Sequence, residues 1–501
     1  MTKPADIEKM PDRIAEMFTG KTVFITGGSG FLGKVLIEKL LRCCGGVKKI
    51  YILIRNKKGK TPNERIQDIF NNALFDTLRA KNPDAFQKCQ AIAGDVTEVD
   101  LGISSEDRKT LQEEVEFFYH SAATTRFDDT MKYAVTMNTR GTKFALDLAH
   151  QCKKLKCFIH VSTAYVNPLQ DVLDEKYYPP PANPYEVLNS INWIKEDAMG
   201  NFTKQLLGDI PNTYTFTKAL AEALVYDQME KLPAIVVRPS VVIPIYKDPL
   251  PGWCNNLQGP MGLFVGAGKG IIRSMYMDSK SYADMVPADI CVNGMLCATW
   301  YHVNVEKKQR FFNLTSTSDY QFSWEEIIEM GKKIVYTRMP FNQCVWYPGG
   351  SMKKSRIHHA ICFYLFQIIP ALFIDLLLLI LGYKPVLYGI QRRIEKGQEM
   401  FEYYTSRAWN FTNDKMKIAR DLMNKRERST YILDGEGLDL MDYFEQCIHT
   451  VRLTILKETD DMLPAARRNM KILWALDKIC KGLFFYFLFL YTYRGLSALI
   501  H

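Results

Sequence analysis

A chain of 501 residues, 47% of them apolar, can bury more core than one domain usually holds, so two or more folding units are expected. The net charge of +9 is the small difference between 64 basic and 55 acidic residues; it singles out no nucleic-acid partner and suits an anionic cofactor or an anionic membrane surface. The 12 cysteines lack the paired spacing and neighbouring histidines of a zinc site, which excludes that metal centre and leaves them as buried thiols of a reducing compartment.

Residues 1–20 are charged throughout and hold no apolar run, so no secretory signal is expected and the catalytic part should face the cytosol. From Lys21 to about Pro239, short β-branched runs alternate with longer helical stretches, the pattern of a parallel sheet wound with helices on both faces. The runs predict strands at Thr22–Thr26, Lys49–Arg55, Gln90–Gly94, Val115–His120, Cys157–Ser162 and Ala234–Arg238. Together they predict an α/β fold with a Rossmann-type, doubly wound parallel sheet.

The first of these runs leads into Thr26-Gly27-Gly28-Ser29-Gly30-Phe31-Leu32-Gly33 and then a helical stretch, Lys34 to Arg42. Gly27, Gly30 and Gly33 match G-x-x-G-x-x-G. The chain must turn tightly out of the strand, bring its backbone close to a pyrophosphate and pack a helix against the sheet, and glycine permits each step. Phe31 and Leu32, within this turn, are counted with the glycines as cofactor-binding, and the amino terminus of the helix that follows meets negative charge. The second run ends in Arg55, followed by Asn56, Lys57 and Lys58, where an NAD-preferring protein usually offers an acid to the ribose. Cations there fit a 2′-phosphate, hence NADPH; the competing reading makes Lys57 and Lys58 a solvated turn, which Arg55 at the strand end disfavours. Gly94-Asp95-Val96 closes the third run, and Asp95 either meets the adenine or is an ordinary turn acid.

At the end of the fifth run, His160-Val161-Ser162-Thr163-Ala164-Tyr165 puts hydroxyls at the carboxyl edge of the sheet, where open α/β folds bind ligands. Thr163, or failing that Ser162, is placed to hydrogen-bond a substrate carbonyl as negative charge develops on it. The competing reading is a strand-end hydroxyl satisfied by backbone. Tyr214 and Lys218 stand four apart in the helical segment Asn212 to Lys231 and so share a face. An ammonium beside a phenol favours the phenolate and brings the group toward useful acid–base range. Tyr214 can then give its proton to an oxygen as hydride reaches the carbon, while Lys218 also has donors for the nicotinamide ribose. Among 26 tyrosines such pairs also arise by chance, as Tyr276 with Lys280 shows; the position after the fifth strand decides for Tyr214.

Beyond Pro239 the chain becomes rich in Pro, Gly, Trp and Asn, with no clear period until Trp324, as loops of a substrate lobe would be. Ile361 to Gly382 is almost uninterrupted apolar sequence, long enough to span a bilayer, yet it holds Gln367, Pro370 and Asp375. Gly482 to Ile500 is aromatic-rich with Arg494 inside it. It follows Arg467, Arg468, Lys471, Lys478 and Lys481, and reads as a carboxy-terminal membrane anchor with its basic side in the cytosol. For both segments the second reading is a buried helix or one lying on the membrane surface. An anchor of this kind suits the endoplasmic reticulum first, then peroxisome or lipid droplet.

Thr26 to Gly33, Thr163 and Tyr214-x-x-x-Lys218 together resemble the extended short-chain dehydrogenases. Narrower features are similar to the fatty acyl-CoA reductases: Pro211-Asn212-Thr213-Tyr214-Thr215-Phe216-Thr217-Lys218, Val237-Arg238-Pro239-Ser240, Pro251-Gly252-Trp253, Gly259-Pro260 and Phe312-Asn313-Leu314-Thr315-Ser316. The likeness continues into Trp409-Asn410-Phe411, which resembles that family's small helical domain. Ser29 departs from the threonine common there, and Cys254-Asn255 from an apolar residue and an acid.

The resemblance implies an amino-terminal segment 1–20 and an extended dehydrogenase domain 21–350, a Rossmann core with its substrate lobe. It further implies a helical domain 351–460 carrying the apolar helix 361–382, and a basic linker and anchor 461–501. It adds Pro239 to the cofactor-binding set. The implied activity is NADPH-dependent reduction of a long-chain acyl-CoA to a primary alcohol, with release of coenzyme A through an enzyme-held aldehyde. The implied setting is membrane lipid, and a homodimer is allowed. Two other readings stand beside it. One is a membrane-bound steroid or sugar-nucleotide dehydrogenase using the same Tyr214 and Lys218. The other is a non-catalytic NADPH-binding scaffold, which the intact Thr163, Tyr214 and Lys218 set disfavours.

Overall fold

The computed structural model describes residues 4–56, 59–257, 259–282, 284–316, 320–435 and 437–500. Seven parallel strands make the central sheet: β1 Thr22–Thr26, β2 Lys49–Ile54, β3 Cys89–Ala93, β4 Phe117–His120, β5 Cys157–Val161, β6 Ala234–Pro239 and β7 Phe311–Leu314. Their order is β7-β6-β5-β4-β1-β2-β3. Each predicted run thus becomes a strand, and the short β7 is an addition that four residues of pattern did not announce. β1, β4, β5 and β6 are buried along their whole length, which is why they read as continuous apolar runs rather than alternating ones.

The winding direction reverses between β1 and β4, and the crossovers leave in opposite directions there, so the carboxyl ends of these two strands open a crevice. The register aligns Thr26 with His120 and His120 with His160, a polar row across the sheet at that edge. Helix α1, Phe31–Cys43, follows β1, and helix α2, Thr213–Gln228, precedes β6. Helix α3, Ala288–Asn304, lies where the sequence suggested loops. Its residues are buried from Ala288 to His302, on every side, so it carries no amphipathic period by which to be read.

Two compact units result, and the polypeptide passes between them more than once. The first comprises Met1–Asn255, Tyr282–Gln321 and Ala408–Leu438, and contains the whole sheet. The second comprises Asn256–Ser281, Phe322–Arg407 and Asp439–His501. It is largely helical and contains a cavity of about 70 Å³ lined by Met261, Phe264, Ile272, Ile327, Val335 and Phe444, among others. Among the described residues, one helix is long and apolar enough to cross a membrane, Arg356–Ile380. The carboxy-terminal segment continues a single helix, Leu463–Ile500.

Candidate active site

The glycine turn is built from contacts that a side chain would destroy. Gly27 has φ +76°, and a Cβ on it would stand 2.7 Å from the backbone of Ser121 and Ala122. The Gly30 amide donates to the Gly27 carbonyl at 2.9 Å, closing the turn, and α1 starts one residue later at Phe31 with no side-chain cap from Gly30. The amides of Phe31, Leu32 and Gly33 therefore sit at the helix end that follows β1, where a phosphate is best received. A Cβ on Gly33 would lie 2.2 Å from the Gly27 oxygen and 2.6 Å from the Gly28 Cα, both immovable backbone. Gly33→Ala is accordingly expected to weaken dinucleotide binding by at least roughly tenfold, about 1.4 kcal/mol, in a fluorescence titration. Wild-type affinity in that variant would mean that the turn is not the cradle.

Across the crevice rim, Arg55 follows β2 and its guanidinium lies 3.9 Å from the Asp95 carboxylate, with both side chains partly exposed. Asp95 accepts from the Thr97 amide at 3.0 Å and the Thr97 hydroxyl at 2.9 Å, so it orders its own turn while facing Arg55. Val96 is buried beneath it, against Gly141. Lys57 and Lys58 lie outside the described residues. The opposite rim holds Pro239, buried at the end of β6, whose carbonyl accepts from the Ala164 amide at 2.8 Å.

Tyr214 and Lys218 do share one helix, near the amino end of α2, whereas Tyr276 ends a short strand, Ser274–Tyr276, and has no such helical relation to Lys280. Asn212 caps α2 by accepting from the Thr215 amide at 2.9 Å. The Lys218 ammonium is buried and donates to the Val161 carbonyl, the last residue of β5, at 2.6 Å. Burial pushes it down to about 8, against the opposing pull of Glu222. Tyr214 is half-buried and its ring stacks on Phe127, 5.7 Å between centroids. Residue Ser162 follows Val161 directly; its hydroxyl is buried and has no hydrogen-bond partner among the described residues. The buried Thr163 hydroxyl accepts from the Tyr165 amide at 3.3 Å, a strand-end turn of the kind anticipated as the bland reading. The structure thus brings a phenol-bearing helix face, a buried ammonium and two hydroxyls to the carboxyl ends of β4 and β5.

Several residues of this constellation were not singled out in the sequence. Asn138 sits on a single widened π-turn, Val135–Arg140, a device that often marks functional helices. Its amide donates to Thr124 O at 3.1 Å and to the Thr217 hydroxyl at 3.0 Å, and its oxygen accepts from the Thr124 amide at 2.8 Å. It therefore ties α2 to the segment after β4. The consecutive polar residues Asn138-Thr139-Arg140, between Met137 and Gly141, were the available signal.

His120 bridges Thr26 at 2.8 Å and Thr142 at 3.1 Å, and burial pushes it down to about 3, so it is a neutral linker. His160, stacked on it at 5.6 Å, is held well below its ordinary range by burial first, then by Lys218. Buried hydroxyls without partners among the described residues also follow β6 and β7, at Ser240, Thr315 and Ser316. A carboxyl edge lined with unspent hydroxyls beside a glycine cradle fits a dinucleotide and a polar substrate group.

Comparison with known proteins finds relatives and fold neighbours. Family profiles described as male sterility protein match residues 25–295 and 366–458. A rat protein named fatty acyl-CoA reductase 1 is 38% identical over 91% of this chain and 89% of its own length. The fatty acyl-CoA reductase wat of Drosophila melanogaster is 33% identical over 93% and 90%. Among solved structures, the terminal R domain of the myxalamid PKS-NRPS pathway has TM-score 0.61 at 16% identity, covering 87% of this chain and 92% of that one. The reductase domain of a non-ribosomal peptide synthetase from Mycobacterium tuberculosis has TM-score 0.58 at 17% identity, covering 90% and 98%. These two likenesses speak to the fold.

Proposed function

The chain belongs to the fatty acyl-CoA reductase family and is an oxidoreductase, and on that premise we propose that it reduces long-chain acyl-CoA to primary alcohol with NADPH, releasing coenzyme A. The observation that carries the reading is the buried Lys218 on the Tyr214 face of α2, anchored to the strand end that bears Ser162 and Thr163. The residues of the glycine turn would hold the pyrophosphate, Pro239 would close the cleft on the opposite rim, and Arg55 would hold a 2′-phosphate. When bound, the cofactor supplies hydride to the acyl carbon.

The rest of the chemistry falls to side chains. Ser162 or Thr163 donates to the carbonyl oxygen, which draws negative charge toward itself as the carbon is reduced. Tyr214 delivers the proton to that oxygen, and the Lys218 ammonium stabilises the phenolate left behind. The first reduction of the thioester leaves a thiohemiacetal. Its carbon–sulfur bond breaks, coenzyme A departs as the free thiol, and the remaining aldehyde is reduced by a second hydride and proton to the alcohol. Because burial keeps His120 and His160 below their ordinary range, neither histidine shares the cationic role with Lys218.

The direct test is incubation of the full chain with NADPH and acyl-CoAs of graded length, reading free thiol and fatty alcohol together. Oxidation of NADPH with a 3-oxosteroid or a keto-sugar nucleotide alone, and no thiol release from acyl-CoA, would overturn the assignment. Arg55→Ala should raise KM for NADPH by roughly tenfold, about 1.4 kcal/mol of lost phosphate contact, and leave KM for NADH unchanged. An equal rise for both would argue against a 2′-phosphate contact. Since burial brings Lys218 down to about 8, kcat/KM for reduction should fall as pH rises through that value, where the ammonium loses its proton. A profile flat to pH 10 would exclude Lys218 from charge stabilisation.

A further inference from the structure

The helix Arg356–Ile380 has two faces of opposite character. Phe363, Gln367, Ile368, Ala371 and Asp375 are buried and fall on one stripe at helical spacing, whereas Ile369, Leu372, Phe373, Leu376, Leu379 and Ile380 are exposed. Both polar side chains that interrupt the apolar sequence lie in the buried stripe. Gln367 accepts from the backbone amides of Arg273 and Ser274, at 2.7 Å each, and donates to Gln391 at 2.9 Å. Asp375 accepts from the amides of Val386, Leu387 and Tyr388 at 2.9, 2.9 and 2.8 Å, capping the start of the next helix, Leu387–Thr405. Gly382, at φ +80°, turns the chain between the two helices. The returning helix exposes Arg392 and Arg393.

We infer that this helix does not span a bilayer but lies in its plane, as a lipid-facing plate on the second unit. At 1.5 Å per residue its length suffices for a span, so length does not decide. What decides is the cargo on its inner face. A transmembrane placement would carry Gln367, at mid-helix, into the hydrocarbon, together with the backbone of Arg273 that it holds. The Arg273–Asp477 ion pair, 3.3 Å, would go with it. Each such charge costs about 2.5–3.5 kcal/mol or more at the bilayer centre.

Lying in plane, the helix immerses only its exposed leucines and phenylalanines and leaves the polar stripe behind it on the aqueous side. The same surface extends onto the helix Leu463–Ile500, whose Phe484 ring lies 6.4 Å from that of Phe366 and is followed by exposed Phe485, Phe487 and Phe489. Lys384 and Arg393, exposed on the turn and returning helix that directly follow the plate, carry positive charge, while Arg392 is paired with Glu395, so the occupant is phospholipid with anionic headgroups. The inference rests on the reading of the protein as membrane-associated but makes a separate topological claim: residues before Arg356 and after Ile380 stay on one side.

Two measurements on the full chain in endoplasmic-reticulum microsomes test it. An N-glycosylation acceptor on a long flexible spacer is inserted between Lys384 and Pro385, or ahead of Ser355. Neither chain should be glycosylated, and modification of only one of them would prove a span and overturn the inference. On the uninserted chain, a diazirine-bearing phospholipid should cross-link to peptides containing Phe373 and Leu376. The paired change Leu372→Glu and Leu376→Glu should abolish that labelling. A membrane-pelleted protein without such cross-links would overturn the lipid-facing plate alone. A protein recovered entirely in the supernatant would overturn the membrane reading itself.

Discussion

Tyr214→Phe is expected to lower kcat for alcohol formation by roughly 10²–10⁴-fold, the usual contribution of a positioned proton donor, with NADPH affinity unchanged. The ring is half-buried and stacked on Phe127, and phenylalanine keeps that stacking, so the helix and the cradle should persist. Only the acid is removed. Lys218→Met should be as damaging to kcat but should also weaken cofactor binding, since its ammonium has donors for the ribose as well as for Val161. Stopped-flow hydride transfer and equilibrium cofactor titration separate the two effects. Retention of more than about a tenth of the activity by Tyr214→Phe, little over 1 kcal/mol of barrier, would remove the phenol from the mechanism.

The second large effect concerns stability. Arg238 on β6 and Glu222 on α2 form a bidentate pair at 2.9 and 2.6 Å with side chains 1% and 2% exposed. Arg238 also donates to Asp174 O at 3.1 Å. Glu222→Gln leaves a buried guanidinium without its countercharge and should cost about 3–5 kcal/mol in a denaturant titration. Changing both partners, Glu222→Leu with Arg238→Met, should recover most of that, because apolar groups of similar volume replace a pair that pays heavily in desolvation. Glu222 also favours the charged form of Lys218, so the falling limb of the pH profile should move to lower pH in Glu222→Gln. A cost below about 1 kcal/mol would place the pair in water, where such bridges contribute little.

The Rossmann sheet was legible because buried parallel strands are continuous apolar runs and the glycine turn carries its own stereochemical demand. Thr22–Thr26 was read to the residue for that reason. Helix α3 was not legible: buried on every side, it has no polar stripe to give a 3.6-residue period. Asn138 and His120 escaped because a buried asparagine or histidine has no spacing rule; only the tertiary partners Thr217, Thr26 and Thr142 give them a place. Arg55 and Asp95 are forty residues apart, and the adjacency of β2 and β3 brings them to one rim.

The apolar run Ile361 to Gly382 makes the division plainest. Hydrophobic length and composition are properties of the sequence, and they determined that this segment seeks a non-aqueous environment. Which side of the helix does so, and whether Gln367 and Asp375 are obstacles or anchors, depends on donors supplied by Arg273, Ser274, Val386, Leu387 and Tyr388. Local pattern likewise determined the cradle and the Tyr214–Lys218 spacing, because both are set within a few consecutive residues. The burial that brings Lys218 down to about 8, and the strand end that receives it, arise only when α2 packs on β5, since desolvation is a property of the assembled core.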